Sequence, residues 1–486
     1  MNYRLTLNVL GFISLTVAGL MIIPFIMSFA YGESTTPLAF GITLICLLAI
    51  GVPATIFKPK NRNLSARGGF LIVAIAWIYL SLTGALPFCI SKYIPNYIDA
   101  VFETVSGFTT TGATILTNVE ALPKSLLFWR SLTHWIGGMG VLLFIIAVLP
   151  KSDPSIVHMI KAESPGPQFG KLVSKLRFSA QITYAIYVVM TLIEVIALAC
   201  CGCSAYDSFL HALGTAGTGG FSSYSLSVAG MNSKAVEIVI TVFMMIFSIN
   251  FNLFYLILIG HFKNVIKSEE LRVLLSVFLV SSIAISTSLT VTNTVSSFWE
   301  GLRLSTFQTA SMISTSGFAT ADYTTWPAFS QIILFMLMFM GGSAGSTAGG
   351  LKVSRFIILT KASFKKLRTS VSPNSYSPVK LDGKPINDEL TNGVTGYFSL
   401  YFIILGISTV LVSIVSPDGF GITENLSAVV TCINNVGPGF GKLGPMGSFA
   451  PYSIFAKIIL SFDMLIGRLE IIPILLLFYP KAWQKV

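Results

Sequence analysis

The sequence predicts an all-α integral membrane protein, in which one structural unit occurs four times behind two extra N-terminal spans. Three observations predict it. Only 10% of the 486 residues are charged and 53% are hydrophobic, with a mean hydropathy of +0.78; a soluble domain carries about 25% charged residues. Ten apolar stretches are long enough to cross a bilayer, which takes about 20 residues. Four short glycine-containing polar runs recur between them, and such loops are tolerated at membrane depth only where they are buried in protein or line a water-filled cavity.

The ten stretches lie at about 7–30, 38–57, 70–91, 126–149, 179–202, 234–260, 271–293, 329–360, 396–415 and 452–479. The first is longer than the roughly 7–15 residues of a signal-peptide core and reads as a retained span. Four further apolar stretches, at about 98–109, 206–216, 299–314 and 424–434, are too short to cross and read as re-entrant helices. Each runs into a glycine loop: Thr110-Thr111-Gly112, Thr218-Gly219-Gly220, Thr315-Ser316-Gly317 and Asn435-Val436-Gly437. Gly112, Gly220, Gly317 and Gly437 are separated by 108, 97 and 120 residues, the spacing of an internal repeat. The units are drawn at 70–150, 178–262, 270–368 and 395–486, with the two extra spans at 1–69.

Sidedness follows from basic residues. Of the 31 Lys and Arg, 23 fall on the side holding both termini and the loops near 150–177 and 361–395. The positive-inside rule makes that side cytoplasmic and turns the four glycine loops outward. It also accounts for the net charge of +11 without nucleic acid. The six cysteines lie in or beside apolar stretches and read as small buried residues, with no disulfide or metal role.

Four loops around one axis can supply rings of backbone carbonyls to a dehydrated cation. Glycine admits the backbone angles that pointing successive carbonyls inward requires. Asp99, Glu103, Asp207, Glu300, Asp322 and Glu424 flank the loops and read as a cation-attracting set. Close packing of small residues between helices is the alternative for any one loop; four loops in the same place favour a pore.

With these motifs the chain resembles the superfamily of Trk, Ktr and HKT potassium transporters, most closely the bacterial TrkH/TrkG branch. The resemblance covers essentially the whole chain. It implies four covalently linked potassium-channel-like units (span, pore helix, filter loop, span), K⁺ bound at the twelve filter residues, and a homodimer in the bacterial inner membrane. It also implies gating by a cytoplasmic nucleotide-binding subunit of TrkA type, with no organic cofactor and no enzymatic activity. In HKT relatives Ser at the first filter glycine accompanies Na⁺ transport; Gly112 here favours K⁺. The fourth loop departs most, since Asn435-Val436 replaces a hydroxyl pair and Pro438 follows the glycine.

The run from Gly341 to Gly350 holds five glycines (Gly341, Gly342, Gly345, Gly349, Gly350) inside an apolar span. Glycine costs about 1 kcal/mol relative to alanine in a helix, so this run is expected to leave the helix, as the family's intramembrane gating loop does. Arg468 stands inside the tenth span, where a charge costs about 2.5–3.5 kcal/mol or more. It is expected to hold the loop's carbonyls or, alternatively, to pair with Asp463 or Glu470. Glu194, midway along the fifth span, is either a protonatable site or a bundle contact. An H⁺- or Na⁺-coupled symporter remains an alternative to a gated channel. An intramembrane serine hydrolase using Ser343 with His134 is a remote one. The Gly345–Gly350 spacing is not a phosphate loop, because Leu351 occupies the lysine position.

Overall fold

Long apolar runs without internal turn signals fold as helices, because a bilayer leaves a backbone no partner but its own. The computed structural model describes residues 3–56, 66–140, 176–372 and 378–484. Its helices are α1 (Tyr3–Ala30), α2 (Thr36–Ile56), α3 (Ala66–Gly84), α4 (Leu86–Ile90), α5 (Tyr97–Phe108) and α6 (Lys124–Gly138). They continue with α7 (Leu176–Cys200), α8 (Ala205–Ala216), α9 (Lys234–Phe247), α10 (Phe251–Leu258), α11 (Phe262–Lys267), α12 (Glu269–Val291) and α13 (Phe298–Ile313). The chain then forms α14 (Ala328–Phe339), α15 (Val353–Val371), α16 (Asp388–Ile414), α17 (Ile422–Asn434), α18 (Ile454–Leu469) and α19 (Ile471–Leu477). A two-stranded hairpin, Lys380–Leu381 with Lys384–Pro385, precedes α16.

Among the described residues, six helices are long and apolar enough to span a membrane, seven if a bent pair is one span. They match six of the ten expected spans. Three others are interrupted. The sixth is bent by 91° between α9 and α10, the eighth opens into the loop between α14 and α15, and the tenth breaks at Glu470, whose φ is +64°. The fourth begins as α6, and its remainder, 141–149, lies outside the described residues, as does most of the basic loop near 150–177.

The short helices α5, α8, α13 and α17 begin with firm caps. Asn96, Ser204 and Ser297 accept from Ile98, Asp207 and Glu300 amides, and Glu424 closes a capping box onto Gly421. Asp99, Asp207, Glu300 and Glu424 sit in the first turns, where the helix dipole favours negative charge. Each short helix packs between the following helix of its own unit and that of the preceding unit: α8 against α9 and α6, α13 against α15's forerunner α14 and α9, α17 against α18 and α14, α5 against α6 and α18. The pattern closes on itself. Each of the four short helices thus lies between helices of two successive units, with its N-terminus capped.

The cysteine expectation needs correction. Cys46 and Cys200 are exposed, Cys89, Cys201 and Cys203 are half-buried, and only Cys432 is buried. In a bilayer an apolar thiol can face lipid at little cost, so an apolar sequence context does not imply burial.

Candidate functional site: four glycine loops on one axis

Each short helix ends in the same way. The amides of Thr110, Thr218, Thr315 and Asn435 bond back three residues, and those of Thr111, Gly219, Ser316 and Val436 bond back five, to Ser106, Gly214, Ser311 and Thr431. This is a Schellman closure, which puts one residue in the left-handed region. That residue is normally glycine. Here φ is +56° at Thr110, +54° at Thr218, +57° at Thr315 and +54° at Asn435. A left-handed residue with a Cβ costs about 1–2 kcal/mol, and for β-branched threonine the conformation is a true outlier. Strain of this kind persists where the surroundings over-determine it, typically at functional sites.

Two residues on, Gly112, Gly220, Gly317 and Gly437 also have positive φ, from +73° to +109°. Their neighbours define the ring. A Cβ on Gly112 would strike the Gly219 carbonyl, one on Gly220 the Ser316 carbonyl and one on Gly317 the Val436 carbonyl. One on Gly437 would lie 2.6 Å from the Thr111 carbonyl. Each glycine thus abuts the carbonyl preceding the glycine of the next loop, and the fourth returns to the first. The four loop glycines and the residues that precede them meet here.

The strands after the glycines are cross-tied. Phe449 donates its amide to Thr114 O at 2.8 Å, Tyr323 its hydroxyl to Gly439 O at 2.9 Å, and Ala229 its amide to Ala319 O at 3.1 Å. Between the first two loops, Ser225 donates its amide to Glu120 at 2.7 Å. Burial pushes the Glu120 carboxyl up, but the Ser225 hydroxyl and amide outweigh it and hold it below the usual range. A vestibule opens above the ring, lined among others by Gly112, Gly220, Gly317 and Gly437. The acids expected to attract cations are engaged rather than free. Asp99 pairs with Lys457 at 2.7 Å, Glu103 with Arg130 at 2.6 Å, and Asp207, Glu300, Asp322 and Glu424 cap backbone or hydroxyls. The expectation of a cation-attracting set therefore fails for Glu103, which is 1% exposed and fully committed inside the protein.

On the other side of the ring, the chain from Gly341 to Gly350 leaves the helix and fills the space beneath. Gly349 donates its amide to the Thr315 hydroxyl at 2.7 Å, and a Cβ there would lie 2.8 Å from Asn434 O. Gly341 packs on Gly349 and Gly350, Gly342 on Ser248 O, and Gly345 and Gly350 have φ of +77° and +66°. The bend between α9 and α10 receives the loop: Ser343 donates to Ser248 O at 2.8 Å, and Phe251 donates to Gly345 O at 3.1 Å. Glu270 accepts the Ala344 and Ser354 amides at 2.7 and 3.1 Å. Lys352, only 1% exposed, turns its ammonium onto Ala348 O. Arg468 donates to Thr347 O at 2.9 Å and also to Gly137 O and Gly138 O at the end of α6. Asp463 accepts from Ser408, and Glu470 pairs with Arg355 at 2.6 Å.

Three of these groups escaped sequence reading: Glu270, because it sits at a span's edge like any helix-start acid; Lys352, because a lysine after a span reads as an interfacial charge; and Arg130, because its partner is distant in sequence. His134 bonds Gly107 O at 2.7 Å and lies tilted against the Phe221 ring, which serves packing. Among the described residues Ser343 Oγ bonds no histidine.

Residues 38–485 match the TrkH family model, described as a cation transport protein. The chain belongs to the TrkH family. It is 34% identical to the Trk system potassium uptake protein TrkH of Salmonella typhimurium, over all of both chains. It is 32% identical to the Trk system potassium uptake protein TrkG of Escherichia coli, covering 100% of this chain and 99% of that one. The crystal structure of the potassium transporter TrkH from Vibrio parahaemolyticus superposes with a TM-score of 0.89 at 29% identity, over all of both chains. The family is one of multi-pass transport proteins rather than enzymes.

Proposed function

We propose that this chain takes up K⁺ across the bacterial inner membrane through a selective pore made by its four glycine loops. The observation that carries the reading is the closed ring in which each loop glycine abuts the carbonyl preceding the next. Such a ring presents backbone oxygens to a single axis, the arrangement that replaces a cation's hydration shell. Thr110, Thr111, Gly112, Thr218, Gly219, Gly220, Thr315, Ser316, Gly317, Asn435, Val436 and Gly437 bind the ion in passage. The relatives' printed function, potassium uptake by the Trk system, supports K⁺ as the cargo.

The run from Gly341 to Gly350 is the gate, closed in this conformation, with Arg468 as its latch. A cytoplasmic nucleotide-binding subunit of TrkA type opens it by moving α15 and the basic segments beside it. The protein works as a homodimer with both termini cytoplasmic, an orientation supported by the basic-residue count. Expression in a bacterium lacking its own K⁺ uptake systems tests the reading: the wild-type chain with its partner restores growth at low K⁺, and Gly112→Ala, which places a methyl on the Gly219 carbonyl, does not. Growth restored equally by Gly112→Ala contradicts it.

A further inference from the structure

The ninth residue before each loop glycine is Glu103, His211, Gln308 and Ala428 in turn. The first three do one job. Each reaches behind its own loop to the strand that follows the glycine. Glu103 accepts the Thr114 hydroxyl at 2.9 Å and the Ile115 amide at 3.0 Å. His211 Nε2 bonds Ser222 Oγ at 2.9 Å, and Gln308 donates to Ala321 O at 3.3 Å. The fourth unit has alanine there, and a neighbouring serine hydroxyl accepts one amide instead.

The first brace differs in kind. Glu103 pairs with Arg130, whose Nε lies 2.6 Å away, and both are buried. Arg130 then crosses to the next unit. It donates to Ser222 O at 3.3 Å, and its guanidinium stands 3.4 Å over the Phe221 ring. Phe221 follows Gly220 directly, and Ser222 is the residue that His211 holds from behind. One ion pair therefore clamps the outer strands of loops one and two to each other. The outer strands of the other loops are tied by the neutral hydrogen bonds from Ala229 to Ala319, Tyr323 to Gly439 and Phe449 to Thr114.

We propose that the Glu103–Arg130 pair is a specificity-determining brace, which fixes the width of the carbonyl ring between the first two loops and so excludes Na⁺. This rests on reading the loops as a K⁺ filter. A ring sized for K⁺ rejects Na⁺ only if its carbonyls cannot close in on the smaller ion or offer it fewer, stronger ligands. A buried pair hydrogen-bonded onward at both ends is a stiff element, and removing one partner leaves the other charge uncompensated. The residues touch no ion in passage; they act through the loops.

The test is the bi-ionic K⁺/Na⁺ reversal potential of purified protein in liposomes, held open by its cytoplasmic partner. Wild-type protein discriminates K⁺ from Na⁺. Glu103→Gln and Arg130→Gln raise relative Na⁺ permeability about tenfold, equivalent to about 1.4 kcal/mol, while K⁺ still passes. Arg130→Lys, which keeps the charge, recovers part of the discrimination. Thr114→Val removes the hydroxyl that Glu103 holds, together with its bond from the Leu116 amide, and shifts selectivity the same way to a smaller degree; it decides the matter if the charge variants fail to assemble. Glu237→Gln breaks a different ion pair, to Arg303, which joins the second and third units without touching a loop strand, and leaves selectivity unchanged. Wild-type selectivity in unchanged Thr114→Val and charge variants overturns the brace and leaves the filter standing. Absence of K⁺/Na⁺ discrimination in the wild type overturns the filter itself.

Discussion

Arg468 and Thr347 lie 121 residues apart in the chain, and the guanidinium of the first donates to the carbonyl of the second at 2.9 Å. The same guanidinium holds Gly137 O and Gly138 O. One side chain thus ties the intramembrane loop to the ends of two other units. A charge inside a span is costly, and three carbonyls from two segments offset that cost only while the loop stays in place.

Arg468→Ala removes hydrogen bonds to a charged group worth about 1.5–3 kcal/mol each. The loop's closed position loses that much relative to its open one. K⁺ flux into liposomes without the cytoplasmic partner should rise about tenfold or more. Unchanged basal flux in a variant with a normal melting profile would remove Arg468 from the gate.

Glu270 receives two loop amides, from Ala344 and Ser354. Glu270→Gln keeps an acceptor but loses the charge that strengthens both bonds, a cost of about 1 kcal/mol. Basal flux should rise less than for Arg468→Ala. Glu270→Ala, leaving two buried amides unpaired, should exceed Glu270→Gln. The reverse order, read by the same liposome assay, would show that the carboxylate does not hold the loop shut.

Threonine at positive φ strains three of the loops. Thr218→Gly should relieve about 1–2 kcal/mol of that strain, since the Thr218 hydroxyl bonds only the adjacent Gly217 carbonyl among described partners. The thermal midpoint in detergent should hold or rise, while K⁺ over Na⁺ selectivity falls as the loop loosens. A lowered midpoint with intact selectivity would mean that the threonine stabilises the loop rather than straining it.

The loop glycines and the non-helical run from Gly341 to Gly350 were legible because their signals are local: glycine and hydroxyls stranded among apolar residues. The family resemblance rested on the same runs, and the family match bears it out. The left-handed threonines were not legible, because a β-branched residue argues against that backbone and only packing from four sides enforces it. Nor were the breaks at Phe247–Phe251 and Glu470. Hydropathy measures length and apolarity, and a helix that stays apolar while turning 91° gives no sign of it. Glu103 shows the third kind of blindness. Its composition suits a solvent-facing acid, and only the fold, by bringing Arg130 to 2.6 Å, makes it an internal strut.

The central claim is a K⁺-selective pore through the ring closed by Gly112, Gly220, Gly317 and Gly437. Its most direct test is the reversal potential of the purified chain with its partner in liposomes, under opposed K⁺, Na⁺ and H⁺ gradients. The account predicts a potential that follows the K⁺ gradient alone, and one that Gly112→Ala abolishes. A potential that moves with the Na⁺ or H⁺ gradient would contradict it.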